Sequence, residues 1–148
     1  MFKENIKMTG KLNLLLVDSN GSVKLDKTYP NLVVLTGKQY VAQRMTSNTT
    51  AIMSSIAVGS DDTTPVSGDT ALLAEISRVS LTSANVVSNT VTYITTFMPG
   101  TGTGALQEAG IFNSTSANSG TMLCRTTFPV VNKESGDTFT ITWNVSPN

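Results

Sequence analysis

The residue types that most often carry enzyme chemistry are scarce in this sequence. The chain of 148 residues contains no histidine and one cysteine, Cys124. A Ser-His-Asp triad, a Cys-His pair and a histidine-ligated zinc ion are therefore excluded, and no intramolecular disulfide can form. Cys124 stands in a run that predicts a strand, so we expect a small buried side chain rather than a reactive thiolate.

Acidic residues gather in one segment, which allows two interpretations. Asp61, Asp62, Asp69 and Glu75 could offer oxygen ligands to a calcium ion. Calcium loops, however, space their acids at alternate positions, with a glycine at the bend and a terminal glutamate, and this segment fits that pattern poorly. A solvated loop is therefore the favoured interpretation, and no cofactor or metal is expected.

Three glutamates, Glu75, Glu108 and Glu134, are candidates for the carboxylate pair of a glycosidase, but no local pattern singles out two of them. Arg78 and Arg125 also allow two roles. Either could anchor a carboxylate at a subunit contact, or pair with Glu75 or Glu108 within the domain. The pair within the domain is the more ordinary arrangement.

A glycine-punctuated segment, residues 99–104, could suggest a phosphate cradle. A P-loop needs a following Gly-Lys-Ser/Thr, and a dinucleotide fold needs its glycines between a strand and a helix. Neither context is present, so we predict a bend. Phe139 and Trp143 could stack on sugars or bases, but their alternation with threonine favours the core.

The elements that must position these residues are predominantly strands. Threonine and serine are abundant and charged residues make up only 14% of the chain, a composition that favours β structure. Residues 137–145 alternate large apolar side chains with threonine and asparagine, as in a strand with one buried face. One short helix is predicted at about residues 36–45, with Thr36 as its N-cap and Val33, Tyr40, Val41 and Met45 locking it against a sheet. We therefore predict a mainly β fold, an antiparallel two-sheet sandwich of the jelly-roll kind.

Residues 11–148 are predicted to form a single β domain, preceded by an N-terminal arm at residues 1–10. Apolar and charged residues mix in the arm without a strand or helix pattern, so we expect it to pack on a neighbouring subunit. The alternative is that the arm adds an edge to its own sheet. Two long polar loops, residues 60–69 and 113–120, should lie exposed, and one or both should form the partner contact. The candidate contact residues are Phe2, Ile6, Met8, Asp61, Asp62, Asn113 and Asn118.

Four stretches resemble, in the same order, a group of small virion structural proteins of tailed bacteriophages. The resemblance spans roughly residues 11–146 and is specific as a set. The stretches are residues 31–34 with Gly37, Lys38, Ala42 and Arg44; residues 56–60 with residues 69–72 and Glu75; residues 102–113; and residues 120–125 through 131–133 to 141–143. This resemblance implies a component of the virion, either head-associated or tail-associated, and implies no catalytic residues.

The resemblance and the composition together favour a non-enzymatic capsid decoration or cement protein that binds the assembled head and stabilises it. The alternative is a tail, neck, baseplate or fibre-attachment protein, and a third class is a β-sandwich enzyme acting on cell-surface polysaccharide. The expected partners are other virion proteins, the major capsid protein first, and further copies of the chain. Ten basic residues balance ten acidic ones, so neither nucleic acid nor a membrane is expected as a partner.

Overall fold

Two antiparallel sheets of five strands face each other across a shared core, as seen in a computed structural model that describes residues 4–46 and 49–148. The predicted mainly β sandwich with one short helix is confirmed. The elements in chain order are β1 (Met8–Val17), β2 (Val23–Pro30), β3 (Leu32–Val33), α1 (Leu35–Arg44), β4 (Ser55–Gly59), β5 (Glu75–Ser80), β6 (Ser83–Val87), β7 (Thr90–Phe97), β8 (Gly104–Phe112), β9 (Met122–Lys133) and β10 (Thr138–Pro147).

Sheet A has the strand order β2-β1-β10-β7-β6, and sheet B has the order β3-β9-β8-β4-β5. The prediction that β10 buries one face is confirmed. The buried residues on that face are Phe139, Ile141, Trp143 and Val145. The indole nitrogen of Trp143 donates a hydrogen bond to Asn31 Oδ1 at 3.1 Å, which satisfies its one polar atom.

Sheet B is unusual because it is covered on both faces. One register row, Val79-Ile56-Ile111-Cys124-Val33, crosses all five strands and faces the core between the sheets. The opposite face carries a second apolar cluster of Val34, Ala57, Leu72, Phe112 and Met122. Every residue of β4 is consequently buried, which explains why this strand reads as a continuous apolar run.

The helix begins one residue earlier than predicted and is fixed by packing rather than by a side-chain cap. Val34 occupies the N-cap position with extended backbone, and the Thr36 hydroxyl donates to the carbonyl of Met122 at 3.0 Å instead of capping. Gly37 lies so close to β9 that a Cβ would fall 2.1 Å from Leu123 O. Tyr40 is buried as predicted, but the prediction for Met45 is wrong, because its side chain is 82% exposed.

The predicted arm is shorter than residues 1–10. Met8 to Gly10 form the start of β1 and pair with residues 145–147 of β10, and Met8 packs partly buried against the core. Backbone pairing outweighs the irregular side-chain pattern here, because a strand inside a sheet gains hydrogen bonds whatever its side chains. Ile6 lies ahead of the strand and is 70% exposed, and Phe2 lies outside the described residues.

Two local predictions from the sequence are wrong. The sequence suggests a turn at residues 85–89 and a helical turn at residues 70–75, whereas Ser83–Val87 is a strand and residues 70–74 contain no helix. The actual turn is confined to Ser88 and Asn89, where Ser88 takes a positive φ of 54°. Pairing with β7 thus overrides the turn preference of Asn85. Within the described residues, no helix is long and apolar enough to cross a membrane.

Candidate functional site

Two buried arginines on the outer face of sheet B organise the predicted contact loops. The register row Arg78-Ala57-Gly110-Arg125-Leu32 crosses all five strands on this face. The two arginines therefore flank two small residues. A Cβ on Gly110 would lie 3.1 Å from Leu72, so the absence of a side chain there lets the segment before β5 pack directly on the sheet.

Arg125 holds the segment that contains residues 60–69. Its side chain is fully buried, and its Nε and Nη2 atoms donate to Glu108 Oε2 at 3.1 and 2.9 Å. Its Nη1 donates to the Thr63 carbonyl at 2.9 Å and to Asp69 Oδ2 at 3.2 Å. One guanidinium therefore ties a strand to a loop, as its fixed fork of donors allows.

Glu108 completes this network from the other side. It is also fully buried, and it accepts hydrogen bonds from the backbone amides of Leu73 and Ala74 at 3.1 and 2.8 Å. A Cβ on Gly59 would collide with both Ala74 O and Glu108 Oε1 at 2.4 Å. Glycine is thus required at position 59 for the chain to return to β5 at this distance.

Arg78 holds the second loop in a matching way. Its guanidinium binds both oxygens of Glu75, at 3.2 and 2.7 Å, and its Nη1 donates to the carbonyls of Ser114 and Ser119 at 3.0 and 2.7 Å. The same group lies 3.9 Å from the centre of the Phe112 ring, a cation-π contact. The predicted pairing of each arginine with a glutamate of its own domain is therefore confirmed, and neither arginine is free for a subunit contact.

The candidate contact residues on the loops divide into two groups. Asp62 and Asn118 are exposed and point into solvent. Asp61 and Asn113 serve the fold: Asp61 lies 3.9 Å from Arg125, and Asn113 binds Ala51 O and the amide of Thr121. Hydrogen bonds from the side chain and backbone of Thr63 hold the pKa of Asp61 below its ordinary value.

The other sequence candidates have structural roles. Cys124 is buried as predicted, and burial raises the pKa of its thiol. Residues 99–104 form a bend that leads into a strand, with positive φ at Gly100, Gly102 and Gly104. Across residues 4–46 and 49–148, no three acidic or cysteine side chains lie close enough to hold a metal ion.

One surface feature was missed by sequence reasoning. A groove of about 560 Å³ opens between helix α1 and the end of sheet A. We call it the groove; its lining is almost entirely apolar and includes Ile6, Met8, Tyr40, Val41, Arg44, Met45, Ile52, Met53, Ala84, Val86, Asn89, Val91, Tyr93, Leu123, Val145 and Pro147. The sequence signal was weak: Ile52 and Val86 are apolar residues in otherwise polar segments, and no core position was expected for them.

Comparison with known proteins provides no relative for this chain. No protein-family model matches it, and neither a curated protein nor a solved structure does. The roles of its surfaces are therefore inferred from their own geometry.

Proposed function

We propose that this protein is a non-enzymatic structural component of a tailed-phage virion, a decoration or cement protein that binds the assembled head and stabilises it. The observation that carries the proposal is the anchoring of two long polar loops over sheet B by fully or nearly fully buried ion pairs. Such anchoring gives the loops a fixed shape, which is what a repeated contact between rigid modules requires. The sequence resemblance to phage virion proteins supports the same class.

The hydrogen bonds of the glutamate carboxylates also support a protein that presents its loops to a partner. Glu75 and Glu108 are the two glutamates nearest the loops, and the oxygens of both accept hydrogen bonds from an arginine and from backbone amides. A glycosidase pair needs two carboxyl groups that face a shared space for the sugar. Here each carboxylate instead holds a segment of its own chain.

The location within the particle is tested by copy number. Quantitative gel analysis of purified particles, with the major capsid protein as internal standard, should give hundreds of copies for a head decoration protein. A dozen copies or fewer would replace this proposal with the tail, neck, baseplate or fibre-attachment alternative. Absence from purified particles would overturn the virion role altogether.

The contact surface is tested by placing positive charges on the loops. Asp62→Lys combined with Ala117→Lys alters two exposed side chains and should weaken binding to assembled heads by at least tenfold without changing the melting temperature. Lys27→Glu, an exposed change on β2 of the other sheet, is the matched control and should bind normally. Normal binding by the loop variant would show that the contact with the head lies elsewhere on the protein.

A further inference from the structure

The groove has the dimensions and lining of a binding site. Its floor is formed by inward-facing side chains of sheet A, where Val145, Val91 and Val86 are cross-strand partners in one row over three strands. Its opposite wall is formed by α1 and the segment after it, with Met45 and Ile52 exposed by 82% and 63%. Its volume of about 560 Å³ lies within the usual range of ligand pockets.

Beside the groove lies an unprotected sheet edge. Within residues 4–46 and 49–148, strand β6 is the outermost strand of sheet A and pairs only with β7. Its sequence, Ser-Ala-Asn-Val-Val, contains no charge and no proline, and Val86 and Val87 are 69% and 73% exposed. Natural proteins normally shield such edges with lysine, proline, a bulge or a covering segment, because an open edge adds further strands.

Two hydroxyl groups that line the groove are available for hydrogen bonds. The rings of Tyr40 and Tyr93 are mostly buried, with 8% and 9% exposure, and both line the groove. Among the described residues neither hydroxyl has a hydrogen-bond partner, and neither is sealed from solvent. A tyrosine in this position offers an apolar ring and a polar tip to an incoming chain.

The charges around the groove have one sign. Arg44 lines it, and an adjoining hollow of about 530 Å³, which shares Ile6, Met8, Val41 and Met45 with the groove, adds Lys7 and Lys38. No carboxylate from the described part of the chain lines either space. A second copy docked through the same surface about a two-fold axis would bring these cations together, which disfavours self-association here.

We propose that the groove and the free edge of β6 form a docking site for an extended segment of a different protein, which adds a sixth strand to sheet A. The inward side chains of that segment are apolar and occupy the groove, and acidic residues flank them opposite Arg44, Lys7 and Lys38. Main-chain hydrogen bonds to β6 supply affinity, and the groove supplies selectivity, as in other cases of strand addition. This site shares no residue with the loops and does not depend on the proposed function.

The test is a selection from a random library of twelve-residue peptides against the intact protein. The expected result is enrichment of peptides with alternating apolar residues and flanking Asp or Glu. Val86→Lys should weaken the selected peptides at least tenfold, whereas Val23→Lys is the matched control, an exposed valine on the opposite edge strand of the same sheet. Lys7→Glu with Lys38→Glu should remove the acidic preference while leaving the apolar alternation.

Three outcomes would overturn the proposal. Selected peptides without alternation, or equally strong binding to Val86→Lys and to the unmodified protein, would show that β6 takes no strand. A dimer in light scattering that Val86→Lys converts to a monomer would assign the groove to a second copy. Each comparison requires that Val86→Lys and Val23→Lys keep the melting temperature of the unmodified protein, as their exposure leads us to expect.

Discussion

At the scale of single residues, the main result is the use of buried charges to fasten loops. Arg125 and Glu108 are both completely buried, and together they contact Thr63, Asp69, Leu73 and Ala74. Removing a charge pair from water is costly, and the cost is offset only when nearly every donor and acceptor has a partner. This network meets that requirement, so each of its members is strongly dependent on the others.

Removing one partner of this pair should therefore be severe. Arg125→Met leaves the Glu108 carboxylate buried beside a methionine, and we expect a loss of about 3–5 kcal/mol in the free energy of unfolding, measured by urea titration. The double variant Arg125→Met/Glu108→Gln should lose less than the sum of the two single changes, because no lone charge remains. Lys11→Met, at an exposed position, is the control. A loss below about 1 kcal/mol for Arg125→Met would show that the pair contributes little.

At the scale of elements, the short helix shows how packing outweighs propensity. It has no side-chain cap and no acidic residue in its first turn, so little intrinsic stability is expected of it. What fixes it is contact with β9, through Thr36, Gly37 and the buried ring of Tyr40.

Gly37→Ala is a sharp test of this account. In an exposed helix the change would stabilise by about 1 kcal/mol, because alanine is the better helix former. Here the new methyl group would meet Leu123 O at 2.1 Å, so the melting temperature should fall instead. Gln39→Ala, on the exposed side of the same helix, should leave it unchanged or raise it slightly. An increase for Gly37→Ala would mean that the helix can move away from β9 at little cost.

The turn before β10 is held by a charge pair with a defined pH dependence. Lys24 Nζ donates to Asp137 Oδ2 at 2.7 Å, and this bond lowers the pKa of Asp137 and raises that of Lys24. An aspartate whose pKa is lower in the folded state than in the unfolded state stabilises the fold at pH values above its ordinary pKa of about 3.9. This stabilisation is lost as the pH falls through the lowered pKa of the folded state. Asp137→Asn should therefore lower stability at pH 7 and make its decline in acid shallower. The control Asp62→Asn, at an exposed site, should show the same dependence of stability on pH as the unmodified protein. If stability declined in acid equally steeply for the unmodified protein, Asp137→Asn and Asp62→Asn, the role given to the Lys24–Asp137 pair would be contradicted.

Elements with a local signal could be predicted from the sequence, and those fixed by distant partners could not. The alternation in β10 and the change of period at α1 are visible within ten residues. Strand β6 shows no alternation, since four of its five residues are exposed, and only its pairing with β7 defines it. The pairing of Arg78 and Arg125 with glutamates could be predicted from residue type. The anchoring of the loops could not, because it depends on the register of all five strands of sheet B. The groove could not be predicted from the sequence, because its lining comes from segments spread along the chain, from Ile6 to Pro147.

At the scale of the whole molecule, sheet B lies between two covers: sheet A on one side and the anchored loops on the other. The loops are consequently part of the fold, in addition to the contact role expected of them. The same reasoning applies to the N-terminus, because β1 already begins at Met8 and Lys7 is hydrogen-bonded to the last residue of the chain.

Two truncations should locate this boundary. Removing residues 1–5 eliminates no described strand pairing and should leave the melting temperature unchanged. Removing residues 1–9 eliminates the pairing of Met8 and Thr9 with β10 and the contact of Met8 with the core, so the melting temperature should fall. Differential scanning calorimetry of both truncated proteins measures their melting temperatures. An unchanged melting temperature for the longer deletion would support the original prediction of an independent arm of ten residues.

Because the first and last strands are neighbours, the chain can be circularly permuted, so that the same strands follow one another in a different order. Lys7 and Asn148 exchange two backbone hydrogen bonds, at 3.0 and 2.7 Å, so a short glycine linker can join residue 148 directly to residue 7. New termini can then be opened in the exposed turn around Gly21, which has a positive φ of 82° and no atom near its Cβ position. Such a circular permutant should fold to the same sandwich, and it would carry any fused domain at the far end of β1, away from the groove.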